Sequence, residues 1–224
     1  KVLPHSFGLS AHSRQRFLEE AKALARVHHE HIVGIHRIVD DGDLLAFEME
    51  YVDGPSLQTV LTHLREVRDR DGKQPTLEHV AALLQLPTAE LGANNLTQFF
   101  VRIARQIALA LGAVHHAGFV HRDVKPANVL LRKNGRSVLA DFGLVRDTDL
   151  ERTHKTGFAG TPVYSSPEQL RGNVRVGPTA DVYALAVTLY ECLTLTVPFA
   201  GRTTTDMLSR IDSGRVPPLR RHAP

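Results

Sequence analysis

Apolar residues recur along this chain with two periods, and the switches between them mark out its elements. Lys1-Val2-Leu3 reads as the end of a strand. Phe17, Ala21, Leu24 and Val27 or His28 then share one face at helical spacing, predicting an amphipathic helix over 13–28 with Ser13 as its cap. Ile35 to Val39 and Leu44 to Tyr51 read as two strands of a hairpin around Asp40-Asp41-Gly42-Asp43. Gly54-Pro55 breaks the second strand, and Ser56 can start a helix. Leu57, Val60, Leu61, Leu64 and Val67 form the stripe of that helix, and Thr76 to Val80 opens a second short one ending near Pro87. Phe100, Ile103, Ala104, Ile107, Leu111 and Val114 repeat with the helical period over 97–116, and Gly118 ends the run. Val129-Leu130-Leu131 and Val138-Leu139-Ala140 read as short buried strands around Asn134-Gly135, a two-residue hairpin signal. The helix that begins at Asp181 is apolar on most faces, hence buried, and Thr203 to Ile211 reads as one more.

Length and composition narrow the classes. The 224 residues suffice for one large domain or two small lobes, and a hydrophobic content of 42% supports a substantial core. A net charge of +3 is too small and too dispersed to argue for nucleic acid. The single cysteine, Cys192, excludes an internal disulfide and fits a reducing compartment such as the cytoplasm. No run of about 18 apolar residues is present, so no segment of this chain is expected to span a membrane. His28-His29-Glu30-His31 raises a metal site, but no second ligand cluster accompanies it.

The densest chemistry lies in His121-Arg122-Asp123-Val124-Lys125-Pro126-Ala127-Asn128, followed by Asp141-Phe142-Gly143. Folding the hairpin between them returns the chain beside the first stretch and places Asp141 near Asn128. Two oxygen ligands then face one pocket, which suits Mg²⁺ shared with substrate phosphates. In order and spacing these residues resemble the catalytic and metal loops of the eukaryotic-like (Hanks-type) protein Ser/Thr kinases. The resemblance covers nearly the whole chain. Met49-Glu50-Tyr51-Val52-Asp53-Gly54 is similar to the hinge between kinase lobes. Gly160-Thr161-Pro162-Val163-Tyr164 and Ser166-Pro167-Glu168 are similar to the platform that accepts a peptide. The stretches Lys125 to Leu130 and Ser166 to Gln169 look bacterial.

That resemblance implies an α+β, two-lobed kinase fold: a partial N-lobe sheet with its αC-type helix over 1–52, and a mostly helical C-lobe over 53–224. It implies transfer of the γ-phosphoryl group of ATP to protein Ser or Thr hydroxyls. Asp123 would accept or orient the hydroxyl proton, Lys125 would steady charge on the γ-phosphate, and Asn128 with Asp141 would hold Mg²⁺. Lys1, paired with Glu20 (Glu19 being the neighbouring competitor), would hold the α- and β-phosphates. Met49 would back the adenine pocket, the Glu50 carbonyl and Val52 amide would bond adenine, and Leu130 would pack beneath it. Asp181 would brace the catalytic loop, and Arg122 would receive a phosphate placed by autophosphorylation on Thr153 or Thr156. Two departures stand out. The stretch from about 62 to 95 is an insertion, expected to be a surface excursion rather than a docking or regulatory element beside the hinge, with a solvated charged part from Arg65 to Lys73. The strands of the Gly-rich loop and the last helices, which carry the arginine partner of Glu168, fall outside the chain, so an inactive fragment is expected. A pseudokinase scaffold and a small-molecule phosphotransferase of the same fold compete with the kinase reading. The intact catalytic residues oppose the first, and the peptide platform opposes the second.

Overall fold

The structure is a computed structural model that describes residues 2–3, 11–41, 44–141, 162–171, 176–201 and 203–219. Its first sheet has three strands, β1 (Val2–Leu3), β2 (Ile35–Asp41) and β3 (Leu44–Met49), in the order β1-β3-β2 with both pairings antiparallel. Helix α1 (Ala11–Leu24) lies against it, with Ala21 fully buried beside Phe47, Leu18, Ile35, Ile38 and Met49. The predicted helix is displaced toward its N-terminus. Ser13 sits inside it rather than capping it, and the chain leaves at Leu24 through tight turns, with Arg26 N–H on Ala23 C=O and Val27 N–H on Leu24 C=O.

The larger part is helical. Helix α2 (Leu57–Asp71) starts where Ser56 accepts the Thr59 N–H and stops at Gly72, whose φ of 62° is left-handed. Helix α3 (Leu77–Leu84) follows, then a 3-10 turn at Thr88–Leu91. Helix α4 (Leu96–His116) is capped by Asn95, which accepts the Gln98 N–H, and ends before Gly118 at φ 85°. After the strands β4 (Val129–Leu131) and β5 (Ser137–Leu139) come the one-turn α5 (Pro167–Leu170), α6 (Thr179–Thr194) and α7 (Thr204–Ser213). The main core is made by α2, α3, α4 and α6. Phe99, Phe100, Leu61, Leu64, Ile107 and Leu131 are its largest sealed side chains.

The stretch from about 62 to 95 differs from expectation. It extends the core instead of riding over it: Leu64, Leu77, Val80, Ala81, Leu84 and Leu91 are all buried in one cluster with α4, and Val67 is buried beside them in sequence. Its charged part divides. Arg68, Asp69, Arg70 and Asp71 pair with one another on the surface, whereas Arg65 reaches inward to Glu191 on α6. The turn between β4 and β5 is also longer than the Asn-Gly signal suggested. Arg132 N–H bonds Arg136 C=O across the three residues 133–135, and Gly135 N–H bonds Arg132 C=O with Gly135 at φ 70°. That is a type I turn closed by a left-handed glycine.

Strand β5 is held on both sides. It pairs antiparallel with β4, and on its other edge Val33 N–H and His31 C=O bond Leu139. This small sheet is the floor on which the two predicted loops meet.

Candidate active site

Helix α4 delivers the chain to His121, whose side chain is wholly buried. Asp181, at the start of α6 and equally buried, accepts the backbone N–H of His121 at 2.8 Å and of Arg122 at 2.7 Å. His115 Nε2 meets the same carboxylate at 2.7 Å. His115 is thus the third partner of the brace. One carboxylate thus takes three hydrogen bonds, which offsets the cost of burying its charge.

Arg122 adopts φ 64°, and Asp141 adopts φ 57°. Left-handed backbone is costly for residues with a Cβ and persists only where the surroundings impose it. Here they do: beyond Asp181, the Arg122 carbonyl accepts the Gln169 side-chain amide from α5 at 3.0 Å. His121 completes the frame from inside. Its Nε2 lies 3.1 Å from the Ala140 carbonyl, and its Nδ1 accepts the Asp123 N–H at 3.3 Å. The neutral tautomer with the proton on Nε2 satisfies both contacts. Burial also pushes the His121 pKa down, against the opposing pull of Asp181 and the nearby Asp123 and Asp141.

Inside this frame three of the predicted side chains converge. Lys125 Nζ donates to Asp123 Oδ2 at 2.8 Å. Asn128 Nδ2 donates to the Asp123 carbonyl at 2.8 Å and to Oδ2 at 2.9 Å. The Asp123 side chain remains 19% exposed, enough to be reached from solvent. Asn128 is tied through its carbonyl to the Ala140 N–H at 2.8 Å, so Asp141 is the next residue along from that bond. With Nδ2 committed to Asp123, Asn128 Oδ1 accepts nothing among the described residues. An amide oxygen and a carboxylate so placed fit a hard divalent cation that keeps some of its waters.

The predicted nucleotide residues gather on the face of β4 and β5 turned away from the main core. Met49 and Leu130 pack on a cluster of Val33, Val52, Val138 and Ala140. Glu50 N–H bonds the Gly34 carbonyl at 2.8 Å, while the Glu50 carbonyl and the Val52 N–H engage no partner among the described residues. Lys1 and the side chain of Glu20 lie outside the described residues, as do Phe142, Gly143, Thr148, Thr153, Thr156 and Thr161. Glu168, expected to lack its partner, makes no hydrogen bond among the described residues. No group of three metal-type ligands occurs among them either, the His28 to His31 stretch included. His31 instead uses Nδ1 on the Ser137 carbonyl at 2.9 Å.

Sequence reasoning missed several contacts around this site. Arg65 Nη2 donates to Glu191, whose other oxygen accepts the Tyr164 hydroxyl at 2.6 Å. Glu50 pairs with Arg132 and Asp53 with Lys133. A signal existed for two of them. Arg65 falls one helical turn after Leu61, at the edge of the buried stripe. Arg132 falls two residues after Leu130, directly past the end of the predicted strand.

Comparison with known proteins gives the family. The protein kinase domain family matches residues 7–217. Serine/threonine-protein kinase PkaA of Streptomyces coelicolor is 37% identical over 214 residues, covering 93% of this chain and 34% of that protein. Serine/threonine-protein kinase PknL of Mycobacterium tuberculosis is 35% identical over 203 residues, covering 90% of the chain and 43% of the relative. Serine/threonine-protein kinase PknB of Mycolicibacterium smegmatis is 34% identical over 216 residues, covering 93% and 30%. The chain therefore spans less than half the length of these relatives. With the family matched across almost every described element, and with similarity of this depth to bacterial Ser/Thr kinases, the chain belongs to the protein kinase family and has its two-lobed α+β fold.

Proposed function

We propose that this protein transfers the γ-phosphoryl group of ATP to Ser or Thr hydroxyls of protein substrates, with Mg²⁺ as the cofactor. The observation that carries the reading is the convergence of Lys125 and Asn128 on Asp123 in a loop bolted to Asp181. Asp123 orients the acceptor hydroxyl and takes its proton. Lys125, already beside Asp123, holds negative charge on the phosphoryl group as it moves between oxygens. Asn128 and Asp141 would hold Mg²⁺, which neutralises charge on the phosphates when bound. Lys1, paired with Glu20, is assigned the α- and β-phosphates by the family resemblance. Adenine is read by the Glu50 carbonyl and Val52 N–H between Met49 and Leu130, and the unengaged state of both backbone groups supports this.

The lobe boundary is put at 52/53, where the hinge meets the helical part. Arg122 is read as the receiver of a phosphate added to Thr153 or Thr156 by the protein itself. The buried, reduced thiol of Cys192 supports a cytoplasmic setting, and no helix among the described residues is long and apolar enough to cross a membrane. No nucleic-acid partner is part of the reading.

Labelled ATP with Mg²⁺ and a generic protein acceptor tests it. The full-length protein should label the acceptor, and Asp123→Asn in it should lower kcat by about 10²–10⁴-fold with nucleotide affinity little changed. Nucleotide binding without transfer to protein would favour a scaffold. Transfer confined to small molecules would favour the other phosphotransferase class. Unchanged turnover in Asp123→Asn would remove Asp123 from its role.

A further inference from the structure

The hinge of this chain is stapled sideways to strand β4. Arg132 grips both carboxylate oxygens of Glu50, with Nη2 to Oε2 at 2.9 Å and Nη1 on Oε1. Behind that fork the backbone continues the seam. Leu131 N–H bonds the Pro55 carbonyl at 2.9 Å, Ser56 bridges to Leu130, and Lys133 pairs with Asp53. Gly54 passes so close that a Cβ there would lie 1.8 Å from the Leu131 carbonyl oxygen. On its other flank the hinge is tied through Glu50 N–H to Gly34. The segment from Glu50 to Ser56 is thus held along its length, with its own carboxylate as one of the grips.

We propose that Arg132 is a positioning residue for the nucleotide: by clamping Glu50 to β4 it fixes the spacing of the hinge groups that read adenine. This rests on the nucleotide reading above. Closeness in sequence makes the arrangement economical. Arg132 directly follows β4, two residues on from Leu130, so the residue assigned to the floor of the adenine site and the clamp of its wall are carried by one short segment. Arg132 touches Glu50, not the ligand, and acts by removing freedom that binding would otherwise have to remove. Most exposed ion pairs contribute little, but this one is bidentate, and its side chains are only 32% and 28% exposed. The low pKa that Arg132 imposes on Glu50 keeps the carboxylate charged throughout the neutral range. Lysine cannot reproduce the fork, because its ammonium is a point charge.

The test compares wild-type protein with Arg132→Ala, Arg132→Lys and the exchanged pair Glu50→Arg with Arg132→Glu. Calorimetric titration with Mg²⁺ and ADP, steady-state kinetics and amide exchange of residues 50–54 are read for each. Arg132→Ala should raise the ADP Kd and the ATP KM by about three- to tenfold and leave kcat within about twofold. It should also speed exchange at Glu50 and Gly54, whose N–H groups bond the Gly34 and Val52 carbonyls. Arg132→Lys should recover part of the affinity and keeps the comparison readable should the alanine variant unfold. The exchanged pair should recover more than either single change alone. Wild-type protein that binds ADP, with Arg132→Ala binding it equally well, overturns the role alone. Wild-type protein that binds no ADP overturns the nucleotide reading and this role with it. An exchanged pair no better than Arg132→Glu shows that charge pairing is not the clamp.

Discussion

The Tyr164 hydroxyl donates to the Glu191 carboxylate at 2.6 Å, joining the segment before α5 to the interior of α6. Arg65 closes the network from α2 and also donates from Nε to the Leu195 carbonyl at 2.9 Å. Glu191 keeps only 3% of its side chain in solvent, so its charge depends on these two partners. Burial beside that carboxylate also pushes the Tyr164 pKa far up, which keeps the hydroxyl a donor.

Truncating this carboxylate should therefore hurt. Glu191→Ala should lower unfolding free energy by about 3–5 kcal/mol, the usual cost of breaking a buried pair. Arg65→Met strands the carboxylate of Glu191, which is only 3% exposed, and should cost as much, with Tyr164→Phe at about 1 kcal/mol. Urea unfolding of the three variants checks the ranking. A loss below about 1 kcal/mol for Glu191→Ala would mean the network is ornamental.

Asp181 supports the loop by accepting two of its backbone donors. Asp181→Ala should orphan the His121 and Arg122 N–H groups at about 1–3 kcal/mol each, whereas Asp181→Asn keeps one acceptor and should lose about half as much. Amide exchange at those two residues reports the loosening directly. If both amides stay protected in Asp181→Ala, the loop is held by other means.

His121 gives the protein an acid limit. Its folded-state pKa lies below the ordinary value of 6.5, so the unfolded chain binds a proton more readily. The stability it contributes is complete above pH 6.5 and is lost as pH falls through the lowered folded-state value. Protonation also adds a hydrogen to Nδ1 and ejects the Asp123 N–H. Activity and stability should thus fall together on acidification. A His121→Gln variant should show a flatter stability profile below pH 6.5. Parallel profiles for wild type and variant would assign the acid limit to other groups.

Gly54→Ala tests the seam at the hinge without touching a charge. The added methyl must displace the Leu131 carbonyl, so a loss of about 1–3 kcal/mol is expected, visible as a lower Tm. An unchanged Tm would show that hinge and strand can part freely.

The fold was readable wherever one face of an element is buried along its own length. The stripe of α2 named every buried residue of that helix, and the stripe of α4 named most of them while missing Phe99, Gln106 and Ala110, because helical spacing is a local property. The catalytic stretch was readable from order and spacing. What stayed hidden was the identity of partners across the chain. Arg65 and Glu191 are 126 residues apart, Glu50 and Arg132 are 82 apart, and His115 and Asp181 are 66 apart. Periodicity tells which side of a helix faces inward, but not what faces it. The same gap misplaced the stretch after Thr62: its charges suggested solvent, while Leu64, Val67 and Val80 on its other side lie fully in the core. Tertiary packing also moved the ends of α1, where local capping signals pointed to Ser13.

The edge of β5 closed by His31 and Val33 bears on how the molecule is assembled. Those residues come from the part before the hinge, and His31 meets Ser137 across 106 residues of chain. A polypeptide emerging from the ribosome can build α2, α3 and α4 from neighbours, but it holds β5 complete only after a long loop has closed. Until then Leu139 presents open backbone donors and acceptors beside an apolar strand, the kind of edge that recruits a strand from another molecule. The same holds for any fragment cut at the hinge: its smallest sheet would be left one strand short, with aggregation as its nearest remedy.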